Sequence, residues 1–328
     1  MNKMLFNSSV RLSLRALKRD KTYSLVNIIG LSLGLVSCAF VFLYAYHTLT
    51  YDHYHPDYKQ IYRVNSTWVG TEEKRSMAIT APAVGFELTS NFSFVENAAI
   101  ISAMNSRKTL AVGESTFEMK HFRSASPGVL DVFHFNLLSG TKTETGIYLD
   151  DSWALKLFGH IDCVGKVVTI GDKEHIVSGV FERWPQNVDL RLEGLLMTEL
   201  DPSDWEQFGF MTYINSNTGF APLQNALTEI SERLYFGEEY GNDHILLEAQ
   251  SLDGLHFAKS IMGDMPKGNI TFTYLALATG IILVIVILIN IANLSTIRAV
   301  DAIRMNGIRK ILGASQKQIL LYQLVQLL

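Results

Sequence analysis

The densest group of residues capable of chemistry is HTLTYDHYHPD, where His47, Asp52, His53, His55 and Asp57 gather in one short stretch. Imidazole and carboxylate groups at that density can ligate zinc. His53 and His55, however, share a side of the chain only if that piece is a strand, and no distant motif supplies further ligands. Polar and aromatic residues also crowd the ends of membrane helices for interfacial reasons. The expected role is structural, with no metal bound. Two acidic pairs, Asp150 with Asp151 and Asp201 with Asp204, have the residue types of a general acid and base. Each precedes a helix-like stretch, where an acidic side chain caps free N–H groups and complements the helix dipole. Capping is the expected role there. The chain carries no GxxxxGK followed by Ser or Thr, and no GxGxxG, HExxH, GxSxG or paired-Cys motif. It thus offers no recognisable nucleotide or catalytic device. It is expected to be no enzyme and to use no cofactor.

Two apolar runs frame these residues. No charged residue lies between Lys21 and Asp52, and Tyr23 to Tyr46 reads YSLVNIIGLSLGLVSCAFVFLYAY. None lies between Lys267 and Arg298, where TFTYLALATGIILVIVILINIANLST stands. Each is long enough as a helix to cross a hydrocarbon core of about 30 Å. The first exceeds the ~7 to 15 apolar residues of a secretory signal, so it reads as a retained anchor. The residues before the first run carry a net charge of +5, those after the second +4, and residues 48–268 carry −13. Lys and Arg favour the cytoplasmic side, so both termini are expected there, with an acidic domain of about 220 residues outside. That acidity argues against nucleic acid as a partner, since phosphate binding needs a basic footprint. Cys38 lies in the first run and Cys163 in the outer part, so no disulfide can staple the exported domain.

Finer patterning divides the chain further. Residues 4–19, MLFNSSVRLSLRALKR, place apolar residues at helical spacing with Arg11, Arg15 and Lys18 turned largely away, the pattern of an amphipathic helix lying on a lipid surface. In the first run Gly30, Gly34 and Cys38 form a small-residue row, the expected packing stripe for another helix. The outer domain reads as strands at 60–69, 95–102, 109–112, 116–122, 147–149 and 245–249, with helices opening at Pro82 and over 221–236. VLDVFHFNLLSG (129–140) is amphipathic. DDSWALKLFG is an N-capped helix closed by Gly159, and 166–170 with 175–181 forms a hairpin turning at Gly171 and Asp172. Strands with segregated helices indicate an α+β domain. The fold class is therefore a membrane protein with two transmembrane helices flanking an extracytoplasmic α+β domain.

Four sets of residues carry a resemblance to a known family. RLSLRALKRDKTYSLVNIIGLSLG resembles the interfacial helix and first span of MacB/FtsX-like permeases, the mechanotransmission class of ABC transporters, and YDHYHPDYKQIYRV follows as the start of their periplasmic core domain. FRSASPGVLDVFHFNLLSG, YLDDSWALKLFG and VGKVVTIGDKEHIVSGVFERWP are similar to successive pieces of that domain. GNITFTYLALATGIILVIVILINIANLSTIRA and NGIRKILGAS resemble the second span and the cytoplasmic segment after it.

The resemblance implies a cytoplasmic interfacial helix over 1–21, spans at 22–48 and 269–297, and an outer domain over 49–268. That domain would comprise a mixed α/β lobe over about 52–118 and 221–256, with a β-rich lobe inserted over about 119–220. A coupling segment would follow at 298–315, and 316–328 would begin a third span, making the chain the amino-terminal portion of such a permease. It also implies a non-catalytic subunit that couples a separate ATPase to the outer domain, as a homodimer or paired with a second permease half, acting on an extracytoplasmic substrate or partner protein. The coupling residues would be Gly307, Arg309, Lys310, Gly313 and Ala314, in a short helix broken near Gly307; helix packing would fall to Gly30 and Gly34. Met305 stands where the family usually has a glutamate. Two alternatives stand beside this reading: a membrane-anchored ligand-binding or sensory module between two spans, and, because Met305 and the missing spans depart from the family, a truncated remnant of a permease.

Overall fold

The computed structural model describes residues 21–70, 74–103, 107–236 and 244–311. They divide into a helix pair built from the two ends of the chain and a central domain, Thr50–Asn269. The interfacial stretch 4–19, Gly313, Ala314 and the segment 316–328 lie outside the described residues.

The central domain begins its sheet with β1 (Ile61–Val69), whose β-branched and aromatic residues suit a pleated surface. Its period of two is used on both faces: Tyr62 and Val64 join one apolar core, while Arg63, Asn65 and Thr67 form a polar row on the other side. The chain continues through β2 (Lys74–Met77), α2 (Pro82–Asn91), β3 (Val95–Ser102), β4 (Lys108–Val112), β5 (Ser115–Met119) and β6 (Phe122–Ala125). Then follow a single turn of helix (Val129–Val132) as α3, β7 (Leu137–Gly140), β8 (Gly146–Asp150), α4 (Asp151–Phe158), β9 (Val167–Ile170) and β10 (Lys173–Phe181). The amphipathic 129–140 therefore splits into a helical turn and a strand. β11 (Gly194–Met197), β12 (Phe210–Ser216), α5 (Phe220–Leu234) and β13 (His244–Ser251) complete the domain.

The thirteen strands of the described residues connect in one sheet, ordered β13-β1-β12-β3-β6-β11-β8-β10-β9-β4-β5, with β2 on β1 and β7 on β10. β3 and β6 meet through a single pair, Ile101 with Ala125, so the sheet has a narrow waist. The waist separates the strands differently from the expected lobe limits. β4 and β5 pair toward β9 in the second half, and β12 lies between β1 and β3 in the first. Strand pairing is a long-range choice that local pattern does not encode.

Three apolar cores follow the sheet. One lies under α2 and α5 and includes Val64, Leu88, Leu227, Ile230 and Leu247. A second, aromatic-rich core gathers Ile101, Phe133, Phe181, Trp184 and Tyr213 at the waist. The third holds Leu110, Phe122, Trp153 and Val177 beside α4. The α4 helix is capped as its sequence indicates: Asp150 accepts from the Trp153 N–H, and Gly159 ends it at φ 79°. The free edge of β13 is closed by α5 side chains. Gln224 accepts from the Ala249 N–H and donates to the Leu247 carbonyl, while Ser231 accepts from the Leu247 N–H. Those groups would otherwise template a further strand.

The helix pair comprises α1 (Lys21–Leu49) and α6 (Ile270–Ile311). Ile29–Leu49 and Ile270–Asn293 have mean hydropathies of 1.9 and 2.9, and each is long and apolar enough to cross a membrane. Small residues let the backbones approach. A Cβ on Gly280 would stand 2.9 Å from Val41, and one on Gly34 would stand 3.0 Å from Ile287. Cys38 and Ala45 are buried in the same contact, and Tyr44 meets Phe272 edge-on at 6.1 Å between ring centroids. The expected break near Gly307 is absent: α6 runs as one helix from Ile270 to Ile311. A single glycine costs only about 1 kcal/mol inside a helix, too little to interrupt one that apolar and basic helix formers favour on both sides.

Candidate functional site: a buried ionic clamp

The chain enters the central domain at Thr50 and leaves it at Asn269, and both stems are held by the same loop, 186–191, between β10 and β11. On the ingoing side, the Asn187 amide donates to the Thr50 carbonyl at 3.0 Å and the Asp52 N–H donates to the Asn187 carbonyl at 2.8 Å. The Asp189 N–H then donates to Asp52 Oδ1 at 2.7 Å. Asp52 has φ 63°, a left-handed conformation that aspartate tolerates better than most residues. On the outgoing side, Lys267 Nζ lies 3.0 Å from both Asp189 Oδ1 and Asp264 Oδ1. Tyr51 and His256 stack with centroids 3.6 Å apart, and the Gly268 N–H donates to the His256 carbonyl, so a second contact also ties the stems.

Arg63 anchors this arrangement to the middle of the sheet. Its guanidinium is fully buried and donates to both carboxylate oxygens of Asp264, at 2.6 and 3.2 Å. Its remaining donors reach Asn65 Oδ1 at 2.9 Å and Gln250 Oε1 at 3.0 Å, and Asn65 also donates to Gln250. Such bidentate geometry, with Asp189 Oδ2 4.0 Å from Nη1 as a second counter-charge, is what a buried charge requires. Burial opposes the arginine's charge, yet the bond and field of Asp264 hold its pKa above the ordinary value; Arg63 and Lys267 in turn hold Asp264 low despite its burial. Asp52 differs. Burial pushes its carboxyl up to about 7, the neighbouring Asp189 adds to the rise, and the Asp189 N–H and Lys267 offset it only in part. Asp52 Oδ2, Asp189 Oδ2, the Tyr213 hydroxyl and Arg123 Nε are buried without a hydrogen-bond partner. Tyr213 feels the charges of Arg63, Asp189, Asp52 and Asp264, so these groups form one electrostatic neighbourhood.

The other chemically suggestive residues have separate partners. His53 lies 3.7 Å from Asp253 and stacks on Tyr58, while Asp57 pairs with His134 at 2.8 Å. His55 is buried against Phe133 and Trp184, and burial lowers its pKa to about 4, so the ring is neutral at ordinary pH. Among the described residues no group of three or more His, Cys, Asp or Glu is placed to hold a metal ion. Asp150 is the cap already described. Asp201 and Asp204 precede no helix; their carboxylates instead accept the Ser203, Glu206 and Gln207 N–H groups and close turns.

The residues expected to dock a partner and to pack helices lie in the helix pair. Gly307 and Lys310 are exposed on α6, and Arg309 is in the same helical turn. No atom of the described residues lies within 4 Å of a Cβ built on Gly30, whereas Gly34 faces Ile287. The clamp itself escaped sequence reasoning, because Arg63, Asp189 and Asp264 are far apart in the chain. The one available signal was an arginine set among apolar residues at the start of a strand, IYRV.

Residues 24–228 match the family model described as MacB-like periplasmic core domain. Among solved structures, the chain is similar to a crystallised domain of a protein from Porphyromonas gingivalis described as a permease: TM-score 0.53, 18% identity, covering 67% of this chain and 98% of that one. It also matches the periplasmic region of MacB from Actinobacillus actinomycetemcomitans, with TM-score 0.41, 16% identity, and 60% and 90% of the two chains covered. The extracellular domain of the noncanonic ABC-type transporter YknZ from Gram-positive bacteria gives TM-score 0.40 and 14% identity over 57% and 99%. Comparison with curated proteins gives no match.

Proposed function

Since the chain belongs to the MacB-like periplasmic core domain family and its central domain lies between two helices able to span a membrane, we propose that it is a non-catalytic permease subunit of an ABC transporter. In this reading a separate cytoplasmic ATPase engages residues 298–315, and its nucleotide cycle is carried through the helices to the extracytoplasmic domain. Both termini are cytoplasmic, and the work is done on a substrate or partner protein outside the membrane. A second copy, or a second permease half, packs on the open face of α1 at Gly30.

The observation that supports this most is the length of α6. The apolar span ends at Asn293, but the helix continues to Ile311, eighteen residues and about 27 Å further. A continuous helix transmits displacement with little internal bending, whereas a broken one would absorb it. Movement at Arg309 and Lys310 would therefore reach Ile270, three residues of chain from the clamped Lys267. Exposed Lys310 with Arg309 suits an acidic groove on the ATPase, with Gly307 leaving a side-chain-free surface for close approach. Gly313 and Ala314 extend the same segment.

The test is co-expression of the full chain with the ABC ATPase that accompanies it, followed by copurification in detergent. Combined Arg309→Glu and Lys310→Glu substitutions are expected to lower the ATPase recovered at least tenfold, with membrane insertion intact. Unchanged recovery would remove the proposed contact.

A further inference from the structure

We propose that the stem clamp is a proton-coupled latch: Asp52 takes up one proton from the external solvent when the clamp closes and returns it when the clamp opens.

The argument begins with the geometry. Asp52 and Asp189 are 1% and 4% exposed and are joined by the Asp189 N–H bond to Asp52 Oδ1. Each leaves its Oδ2 buried without a hydrogen bond, but Asp189 Oδ2 has Arg63 Nη1 at 4.0 Å, whereas Asp52 Oδ2 has no such cation among the described residues. An unmet carboxylate oxygen in the interior is costly when charged, and a proton on Asp52 Oδ2 turns one of two orphaned acceptors into a donor. Cations do not remove the need. Lys267 is engaged by Asp189 and Asp264, and Arg63 by Asp264, Asn65 and Gln250 with Asp189 at 4.0 Å. Among the described residues no ammonium or guanidinium stands within salt-bridge distance of Asp52.

The surroundings of Asp52 can be followed element by element. The ingoing stem brings Tyr51, whose hydroxyl bonds Arg191. The 186–191 loop brings Asp189, and the outgoing stem brings Lys267 and Asp264. The sheet brings Tyr213 from β12 and Arg63 from β1, with Arg123 of β6 beside Tyr213. The net result is a carboxyl raised to about 7 in the closed clamp, against 3.8 when it is free in water. Opening the clamp exposes Asp52 and restores the lower value. Between those limits each opening releases one proton, so acid closes the latch and neutral pH loosens it. Because the 186–191 loop holds both stems, loosening Asp52 also frees the element that positions Lys267. The use of this latch in transport rests on the permease reading; the proton linkage does not.

The test is hydrogen–deuterium exchange on the full chain in lipid nanodiscs from pH 5 to 8.5, comparing wild type with Asp52→Asn at each pH so that intrinsic exchange cancels. The wild-type to Asp52→Asn ratio of exchange rates for residues 50–60 is expected to rise about tenfold per pH unit up to about 7 and then level off. Peptides from β4 and β5 should show no such change. Asp189→Asn should move the levelling point to lower pH. If Asp52→Asn does not fold, the ratio of 50–60 to β4–β5 exchange in wild type, corrected for intrinsic rates, gives the same readout. A ratio constant across pH, or a levelling point unmoved by Asp189→Asn, overturns the latch. Unchanged ATPase recovery in the copurification experiment, which would remove the ATPase contact, would leave the proton linkage standing.

Discussion

Removing Asp264 should show whether the buried pair with Arg63 holds the central domain together. The two side chains are 0% and 1% exposed and share two hydrogen bonds. Asp264→Ala leaves a fully buried guanidinium hydrogen-bonded only to the neutral amides of Asn65 and Gln250, with the Asp189 carboxylate 4.0 Å away as its one remaining counter-charge among the described residues. Lys267 keeps Asp189, so the loss falls mainly on Arg63. Breaking one partner of a buried ion pair costs about 3 to 5 kcal/mol, a large part of a domain's typical stability of ~5 to 15 kcal/mol. Replacing both partners by apolar residues of similar volume, Arg63→Met with Asp264→Leu, removes the stranded charge. It should recover most of that loss, because the pair itself repays little beyond its own desolvation. All four tryptophans, Trp68, Trp153, Trp184 and Trp205, lie in the central domain. Urea unfolding of the full chain in mild detergent, followed by tryptophan fluorescence, therefore reads this domain alone. A loss below about 1 kcal/mol for Asp264→Ala, or a double variant as unstable as the sum of the two singles, would refute the reasoning.

Three further outcomes follow from the same geometry. His55→Phe should fit beside Phe133 and Trp184; since burial lowers the histidine's pKa to about 4, its contribution to stability is present above about 6.5 and is lost as pH falls toward 4. The variant should therefore gain about 2 kcal/mol relative to wild type between pH 8 and pH 5 in fluorescence-detected unfolding, and an equal offset at both values would count against it. Gly280→Leu should disrupt the contact of α6 with α1 at Val41, whereas Gly30→Leu, with open space around it, should not. Oxidative crosslinking of Tyr44→Cys with Phe272→Cys reads this; equal yields in the two backgrounds would contradict it. Asp150→Ala should cost about 1 kcal/mol through loss of the Trp153 N–H bond and the α4 cap, with Asp150→Ser close to wild type in the same unfolding assay.

Much of the architecture was legible because it depends on local pattern. The two apolar runs, the strand at IYRVNSTWV, the capped DDSWALKLFG helix and the GDKE hairpin each follow from periodicity, capping residues and turn chemistry within about ten neighbouring positions. The sheet order did not follow. β12, FMTYINS, sits at the centre of the first half of the sheet, but its mixed polarity gives no warning of that place. Its neighbours β1 and β3 pair with it across more than a hundred residues, where many registers satisfy the same pattern.

The candidate site divides in the same way. The run of charge after the second span and the glycines of the first were visible as types and spacings, and composition alone placed an acidic domain between two apolar helices. Whether Gly307 breaks a helix was not settled by the glycine itself, since its small intrinsic cost is outweighed by the formers around it. Only the folded chain could bring Asp52, Arg63, Asp189, Asp264 and Lys267 together. Asp189, Asp264 and Lys267 look like ordinary surface charges in sequence, and it is burial that turns all five into a clamp. Removing water strengthens every pairing among them and leaves one carboxyl, Asp52, better off with a proton.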